Sequence, residues 1–251
     1  MPADDLERRV VEGTAGPPLV FLHEGLGSVE LWRDFPDRVR GDHTALLYSR
    51  AGYGKSPLVT EPRPPHYMHD DALIVLPAVL RTNGITEPPI LIGHSDGASI
   101  AIIHAGAGHP VAGLILIAPH VFVEDESING IEAARQAFLT TDLPKKMARY
   151  HRDAEATFWG WNRIWLSPEF RDWNIEEYLP GIHCPVLLIQ GDADEYGTLA
   201  QLDAIEGGVS GPVTRLVIAG AGHAPHLQAP TDTVDAVTSW LAQTSLASST
   251  S

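Results

Sequence analysis

Residues 89–97 read Pro-Ile-Leu-Ile-Gly-His-Ser-Asp-Gly, and a segment rich in small residues follows at 98–107. The apolar run predicts a buried strand and the small residues predict a helix, with Ser95 at the sharp turn between them. Gly93 and Gly97 let strand and helix approach closely, and this G-x-S-x-G pattern strains the serine backbone. The hydroxyl then projects above the sheet edge at a helix N-terminus, where N–H groups can bind a developing negative charge. We therefore predict that Ser95 is a nucleophile, rather than a serine that only caps a helix.

The apolar runs along the chain alternate with helical patterns. We predict strands at 19–22, 45–48, 90–92, 114–117, 186–189 and 215–218. We predict helices at 29–40, 67–82 and 231–241 around them. Runs that are apolar on both faces and separated by helices predict an α/β fold with a mostly parallel central sheet flanked by helices. An opening strand within 6–12 is expected to pair antiparallel at one edge.

One long segment lacks strand signals and breaks this alternation. We predict a helical cap at 121–180, with helices at 131–139 and 143–150, inserted into a core of 1–120 and 181–246; residues 247–251 are expected to form a flexible tail. Four of the six tryptophans fall in the predicted cap. An insertion of this size is usually functional, so we expect Trp159 and Trp161 to line an apolar substrate pocket. The alternative is that the aromatic residues form the small core of the insertion itself.

A serine nucleophile needs a general base within hydrogen-bond reach. His223 is the stronger candidate because it follows the final apolar strand in Gly-Ala-Gly-His, on a tight loop at the edge of the sheet where Ser95 lies. His226, three residues further on, is the alternative. The two histidines have no third ligand at metal-binding spacing, so we expect no metal.

The acid that orients the base is expected between nucleophile and base in the chain, after the strand at 186–189. Several carboxylates crowd the loop that follows Gly191. We choose Asp194, the third residue after this glycine, to accept the imidazole N–H and stabilise the imidazolium. Asp192 is the alternative, and one of the two is expected to serve only the turn.

The oxyanion of an acyl-transfer intermediate needs two backbone donors. The N–H of Asp96, directly after the serine, is one candidate. The loop at 23–28, which follows the first core strand, is expected to supply the second from Gly25.

The composition of the chain limits the classes of molecule that it can bind. The 251 residues hold 17 Lys and Arg against 32 Asp and Glu, a net charge of −15, which disfavours nucleic acid and anionic membranes as partners. The one cysteine excludes an internal disulfide. Residues 1–9 are charged and lack the apolar core of a signal peptide, so we expect a cytoplasmic protein that acts on a small molecule. A homodimer is compatible with the sequence.

Five motifs in this order resemble the α/β-hydrolase superfamily, in the capped branch that includes lactonases, carboxylesterases and C–C hydrolases. The motifs are the loop at His23, the turn at 49–56, the elbow at Ser95, Gly191-x-x-Asp194 and Gly220-x-Gly222-His223. The resemblance implies eight strands with only the second antiparallel, a cap after strand six and no cofactor. The serine excludes the branches that use an aspartate nucleophile.

The sequence departs from the family pattern beside the nucleophile. Glu24 replaces the glycine of the usual His-Gly loop, and Asp96 replaces the usual Met, Gln or Leu. Side chains that face the cavity would disfavour anionic substrates; the alternative is that both point away and bond the backbone. We include Glu24 and His94 among the expected substrate-binding residues.

These residues predict a serine hydrolase that cleaves a small hydrophobic or aromatic ester or lactone through an acyl-serine intermediate. The alternative reaction is C–C cleavage of a vinylogous diketone by the same three residues. A non-catalytic small-molecule receptor is the remote alternative, because fold alone does not fix function.

Overall fold

A computed structural model describes residues 3–59 and 61–248, with side chains up to residue 244. Its described residues form one seven-stranded sheet in the order β1-β3-β2-β4-β5-β6-β7. The strands are β1 (Arg8–Val11), β2 (Leu19–Leu22), β3 (Ala45–Tyr48), β4 (Ile90–His94), β5 (Gly113–Ile117), β6 (Val186–Gly191) and β7 (Val213–Ile218). Only β1 pairs antiparallel, at the edge beside β3. The predicted fold class and the antiparallel edge strand are confirmed.

The strands from β2 to β6 are buried on both faces because helices cover the sheet from both sides. Alternate residues therefore enter two separate cores. In β2, Val20 and Leu22 join the core that includes the helix after Ser95, whereas Leu19 and Phe21 join the core that includes the C-terminal helix. The continuous apolar runs of the sequence follow from this double burial.

The helices lie between the strands. They are α1 (Phe35–Val39), α2 (Tyr67–Asp70), α3 (Leu76–Thr82), α4 (Asp96–Gly106), α5 (Asp125–Thr140), α6 (Leu143–Met147), α7 (Ala154–Trp165), α8 (Ala200–Gly208), α9 (Pro225–Gln228) and α10 (Pro230–Ser248). Across the described ranges, none is both long and apolar enough to span a bilayer.

The helix predicted at 29–40 is broken in the structure. A 3-10 turn at Val29–Trp32 is followed by Arg33 at φ 55°, and α1 starts only at Phe35. Pro36 explains the break, because its ring in a continuous helix would clash with the carbonyl four residues earlier. The bend lets the rings of Trp32 and Phe35 stack at 6.0 Å in the buried core.

The helix predicted at 67–82 runs through a π-helical turn, Asp71–Val75, between α2 and α3. Pro77 lies in the first turn of α3, and the wider turn before it accommodates the missing N–H. The same turn carries Asp71 to within 3.6 Å of the guanidinium of Arg50.

Three expectations need correction: the number of strands, the place of the insertion and the end of the C-terminal helix. The described sheet has seven strands rather than eight, so the helical insertion lies between β5 and β6, after the fifth strand rather than the sixth. It holds α5, α6 and α7, whose buried residues join the same core as α4. The C-terminal helix extends to Ser248 instead of ending near 241, and the rest of the predicted tail, 249–251, lies outside the described residues. The exact division into core and cap stays a prediction.

A substitution of Gly97 tests whether α4 must approach the sheet closely. A Cβ at this position would lie 1.9 Å from the carbonyl oxygen of Leu22, whereas a Cβ on Gly207 in α8 would meet nothing within 4 Å. We expect Gly97→Ala to lower the free energy of unfolding by about 1–3 kcal/mol. The control Gly207→Ala should raise it by up to about 1 kcal/mol, as for an open helical glycine. Urea unfolding followed by circular dichroism measures both, and equal losses in the two variants would contradict the close-approach argument.

Candidate active site

Ser95 occupies the turn between β4 and α4 with φ 53° and ψ −119°, a conformation that L-residues rarely adopt. Its N–H donates to the carbonyl of Ile117 at 2.9 Å, which ties the turn to β5. A Cβ on Gly93 would lie 2.4 Å from the carbonyl oxygen of Gly97, so both glycines are required by the turn. The strained backbone predicted from the pattern is present.

The loops after β6 and β7 bring Asp194 and His223 together. Nδ1 of His223 lies 2.8 Å from Oδ1 of Asp194 and 3.1 Å from Oδ2. Burial alone would raise the pKa of Asp194, but the hydrogen bond and charge of His223 outweigh it and lower the pKa. The carboxylate of Asp192 instead accepts the N–H of Gly220 at 2.6 Å, which is a turn role. The structure thus pairs the imidazole with Asp194 and leaves Asp192 to the loop.

His226, the alternative base, lies away from the cavity beside Ser95. Its ring packs 5.2 Å from Trp32 and 5.4 Å from Phe35, and it is 4% exposed. Burial, with the nearby charge of His94, lowers the pKa of His226 to about 3. It is therefore a neutral core residue at pH 7.

Ser95 and His223 line the same cavity, which has a volume of about 80 Å³. The two side chains make no hydrogen bond to each other in the described structure, as is common in unliganded catalytic sites, where such bonds tighten when substrate binds. Apolar and aromatic side chains form the opposite walls: Ile131, Trp161, Trp165 and Tyr196. The first three belong to the insertion, so the insertion contributes to the wall of the cavity that holds Ser95.

The predicted oxyanion donors, Gly25 and Asp96, line this cavity. Asp96 is the first residue of α4, so its N–H has no partner within the helix. The carbonyl of Glu24 accepts hydrogen bonds from His23 Nδ1 at 2.7 Å and Arg50 Nη2 at 2.9 Å. Because C=O and N–H point in opposite directions across a trans peptide, this clamp turns the N–H of Gly25 the other way. That N–H donates to no acceptor within the described ranges.

Side-chain contacts of Asp96 explain its departure from the family pattern. The carboxylate is fully buried, accepts the hydroxyl of Tyr67 at 2.7 Å, and lies 3.5 Å from the guanidinium of Arg50. The hydroxyl of Tyr67 in turn accepts the indole N–H of Trp165 at 3.1 Å. Asp96 therefore bonds side chains below the cavity rather than the backbone, and this chain of bonds orients Trp165 in the cavity wall.

The structure separates the four expected substrate-binding residues. Glu24 and Trp161 line the cavity, and the ring of Trp161 covers Gly25, where a Cβ would lie 2.2 Å from its Nε1. Trp159 does not reach this cavity: it lines a surface groove and donates its indole N–H to Glu155 at 2.8 Å. Residues two apart on a helix point to different sides, so Trp159 and Trp161 cannot share a pocket.

His94 also lies behind the cavity wall instead of facing the expected substrate. Its ring is 3% exposed and packs 5.1 Å from the ring of His223. Nε2 donates to the backbone carbonyl of His223 at 2.8 Å. His94 thus contacts the loop of the predicted base.

His120 lines the cavity and was not singled out from the sequence. Ala118, at φ 46°, bends the chain after β5 and leads His120 to within 5.6 Å of the ring of His223. Burial, followed by the charge of His223, lowers the pKa of His120 to about 3, so the ring is neutral at pH 7. Its place directly after a predicted parallel strand was the available signal. Within the described ranges, no group of three or more potential ligands forms a metal site.

Comparison with known proteins shows the family of the chain. Residues 19–236 match the sequence model of the alpha/beta hydrolase family. The chain belongs to this family. No curated protein matches the chain significantly.

Solved structures share the fold at low sequence identity. An esterase from Rhodococcus sp. ECU1013 has 20% identity and a TM-score of 0.72, with 94% of each chain covered. A thermophilic esterase from Thermogutta terrifontis has 19% identity and a TM-score of 0.71, covering 95% of this chain and 94% of the other. Proline iminopeptidase from Mycobacterium smegmatis has 20% identity and a TM-score of 0.69 over 98% of both chains. At such identities the similarity shows the fold of this alpha/beta hydrolase.

Tyr67→Phe tests the bonds beneath the cavity, because it removes the hydroxyl that joins Asp96 to Trp165. We expect the free energy of unfolding to fall by about 1–3 kcal/mol, since a buried carboxylate oxygen and a buried indole N–H lose their partner. The matched control is Tyr150→Phe, whose hydroxyl makes no hydrogen bond within the described residues; it should change stability by less than about 0.5 kcal/mol. Denaturant titrations of both variants provide the comparison. Equal stability of Tyr67→Phe and the wild type would refute this role.

Proposed function

We propose that this protein is a serine hydrolase that cleaves a small carboxylic ester or lactone through an acyl-serine intermediate. The observation that carries the proposal is the 2.8 Å pairing of His223 with Asp194 on the cavity that holds the strained Ser95. Family membership supports a hydrolase, and the esterases of similar fold favour an ester bond.

In the first half of the proposed reaction, the Oγ of Ser95 attacks the ester carbonyl while His223 takes the hydroxyl proton through Nε2. Asp194 holds Nδ1–H and stabilises the imidazolium that forms. The carbonyl electron pair moves to oxygen, and the amides of Gly25 and Asp96 bind the resulting oxyanion; one such donor typically contributes about 3 kcal/mol. Collapse expels the alcohol, to which His223 returns the proton.

The second half repeats the chemistry with water. His223 removes a proton from a water molecule, whose oxygen attacks the acyl-serine carbonyl. The oxyanion forms again at the same donors, and its collapse breaks the bond to Oγ, releases the carboxylic acid and returns the proton to Ser95. The apolar and aromatic side chains that line the cavity limit the access of bulk water to this intermediate.

The volume of the cavity supports a short acyl group. About 80 Å³ is small against the roughly 300–1,000 Å³ of pockets that enclose drug-sized ligands. Ile131, Trp161 and Trp165 supply an apolar surface, which favours an uncharged acyl group without a long chain.

Fluorophosphonate labelling tests the nucleophile directly. Wild-type protein should become covalently labelled and should hydrolyse p-nitrophenyl acetate, whereas Ser95→Ala should do neither. Ser127→Ala serves as the control for labelling, because Ser127 lies in the same cavity but pairs with the backbone of Glu124 rather than with an imidazole. Intact mass spectrometry reports the adduct. Labelling that persists in Ser95→Ala, or no turnover of any ester by the wild type, would contradict the proposal.

Acyl-chain length tests the size of the cavity. Across p-nitrophenyl esters we expect kcat/KM to fall by about tenfold or more from butyrate to octanoate, because each methylene beyond the available space costs about 1–3 kcal/mol of discrimination. Ile131→Ala enlarges the cavity and should therefore reduce the ratio of kcat/KM for butyrate to kcat/KM for octanoate. Rates that increase steadily up to octanoate in the wild type would show that the cavity does not limit the acyl group.

A further inference from the structure

We propose that Glu24 and His94 form a carboxylate–imidazolium pair in the cavity wall that positions the loop at 23–28 (the oxyanion loop) and the loop of His223 for hydrolysis. The first observation is that both ring nitrogens of His94 lie near acceptors. Nε2 lies 2.8 Å from the carbonyl oxygen of His223, and Nδ1, a buried atom with no hydrogen bond among the described residues, lies 3.5 Å from Oε2 of Glu24. The role in hydrolysis rests on the proposed function, whereas the ionisation of the pair does not.

The two acceptors define the protonation state of His94. A carbonyl oxygen only accepts, so Nε2 must carry a proton. A neutral ring would then turn the lone pair of Nδ1 toward the carboxylate of Glu24, which is repulsive. A proton on Nδ1 as well converts the ring to an imidazolium and makes this contact attractive.

Electrostatics in the site agree with this geometry. Burial opposes a charged ring, but the contact and charge of Glu24, together with the His223 carbonyl and Asp194, raise the pKa of His94. Burial would also raise the pKa of Glu24. The contact with His94 and the charge of His94 outweigh burial, with a smaller contribution from the charge of His23, and the pKa of Glu24 falls well below its ordinary value. The other titratable rings around His94 are His120, His223 and His226.

The pair joins three parts of the site that are far apart in sequence. Glu24 directly precedes Gly25, the predicted oxyanion donor, and the side chain of Glu24 is 27% exposed at the cavity. A Cβ on Gly27 would lie 2.2 Å from Oε2 of Glu24, so the loop folds closely around this carboxylate. His94 directly precedes Ser95 and holds the backbone of His223. Glu24 and His94 are therefore positioning residues, which act on the reaction through the groups beside them.

The pair also balances charge during the reaction. When His223 takes the serine proton, a second cation forms 5.1 Å from the ring of His94. Asp194 compensates the imidazolium of His223, and Glu24 compensates that of His94. Loss of the proton from His94 at alkaline pH would leave the carboxylate of Glu24 facing a lone pair, and the oxyanion loop would shift away.

Histidine side-chain NMR tests the pair without any substrate. In 15N-labelled protein, the ring signals that are lost in His94→Gln identify His94, and their pH titration gives its pKa. We expect Glu24→Gln, which keeps size and removes charge, to lower this pKa by about one unit or more. Glu87→Gln removes an exposed carboxylate before β4 and should leave the titration unchanged. An unchanged titration in Glu24→Gln would overturn the pair.

Kinetics then test the positioning role. In the wild type, kcat/KM should fall at alkaline pH as His94 loses its proton. Glu24→Gln should lose this alkaline limb, because the amide can donate to a neutral ring, and should lower kcat about tenfold with little change in KM. A shifted NMR titration with unchanged kcat and pH profile would overturn positioning. Failure of the proposed function gives a different result, because the wild-type protein would then turn over no ester. In that case the positioning role is tested by the rate of fluorophosphonate labelling, which should be lower in Glu24→Gln than in the wild type; equal rates would overturn it.

Discussion

The contact between Gly97 and the backbone of β2 is the constraint on which the site depends. Helix α4 can start directly above the sheet only because no side chain separates Gly97 from the Leu22 carbonyl oxygen. That approach forces the chain to turn within one residue, so Ser95 takes the strained conformation at φ 53°. The same turn places the serine hydroxyl and the free N–H of Asp96 on one side of the sheet edge, toward the loops that carry the other groups.

Charge compensation is the second organising feature of this alpha/beta hydrolase. Three contacts between a carboxylate and a basic side chain surround the serine: Arg50 with Asp96, His94 with the partly exposed Glu24, and His223 with Asp194. Such pairs contribute little net stability after desolvation, but the removal of one partner leaves an uncompensated charge. Their value here is geometric: the first two pairs join a residue beside the serine to a different loop, and the third joins the loops after β6 and β7. The two acidic departures from the family pattern thus become parts of the scaffold.

Local sequence signals predicted the sheet, the antiparallel edge strand and the serine turn, because each depends on residues close together in the chain. Predictions were wrong where a local signal was overlooked or where packing outweighed it. Pro36 broke a helix that periodicity alone favoured, and Pro77 introduced a π-helical turn. Strand β1 came first and paired antiparallel, so the numbering implied by the family resemblance was shifted by one. The prediction that Trp159 lines the pocket together with Trp161 was wrong, because residues two apart on a helix point to different sides.

The sequence by itself determined the fold class, the strained serine and the set of candidate partners, since periodicity and turn chemistry act over a few residues. Only the tertiary structure decided which candidates meet. Asp194 and His223 are separated by 29 positions, and His94 and the His223 carbonyl by 129, and no local pattern reports such distances. The same holds for Asp96, which bonds Tyr67 across 29 positions, and for Glu24, whose partner is His94. Contacts of this kind arise from the way parallel strands bring their carboxyl ends to one edge, and that arrangement exists only in the folded chain.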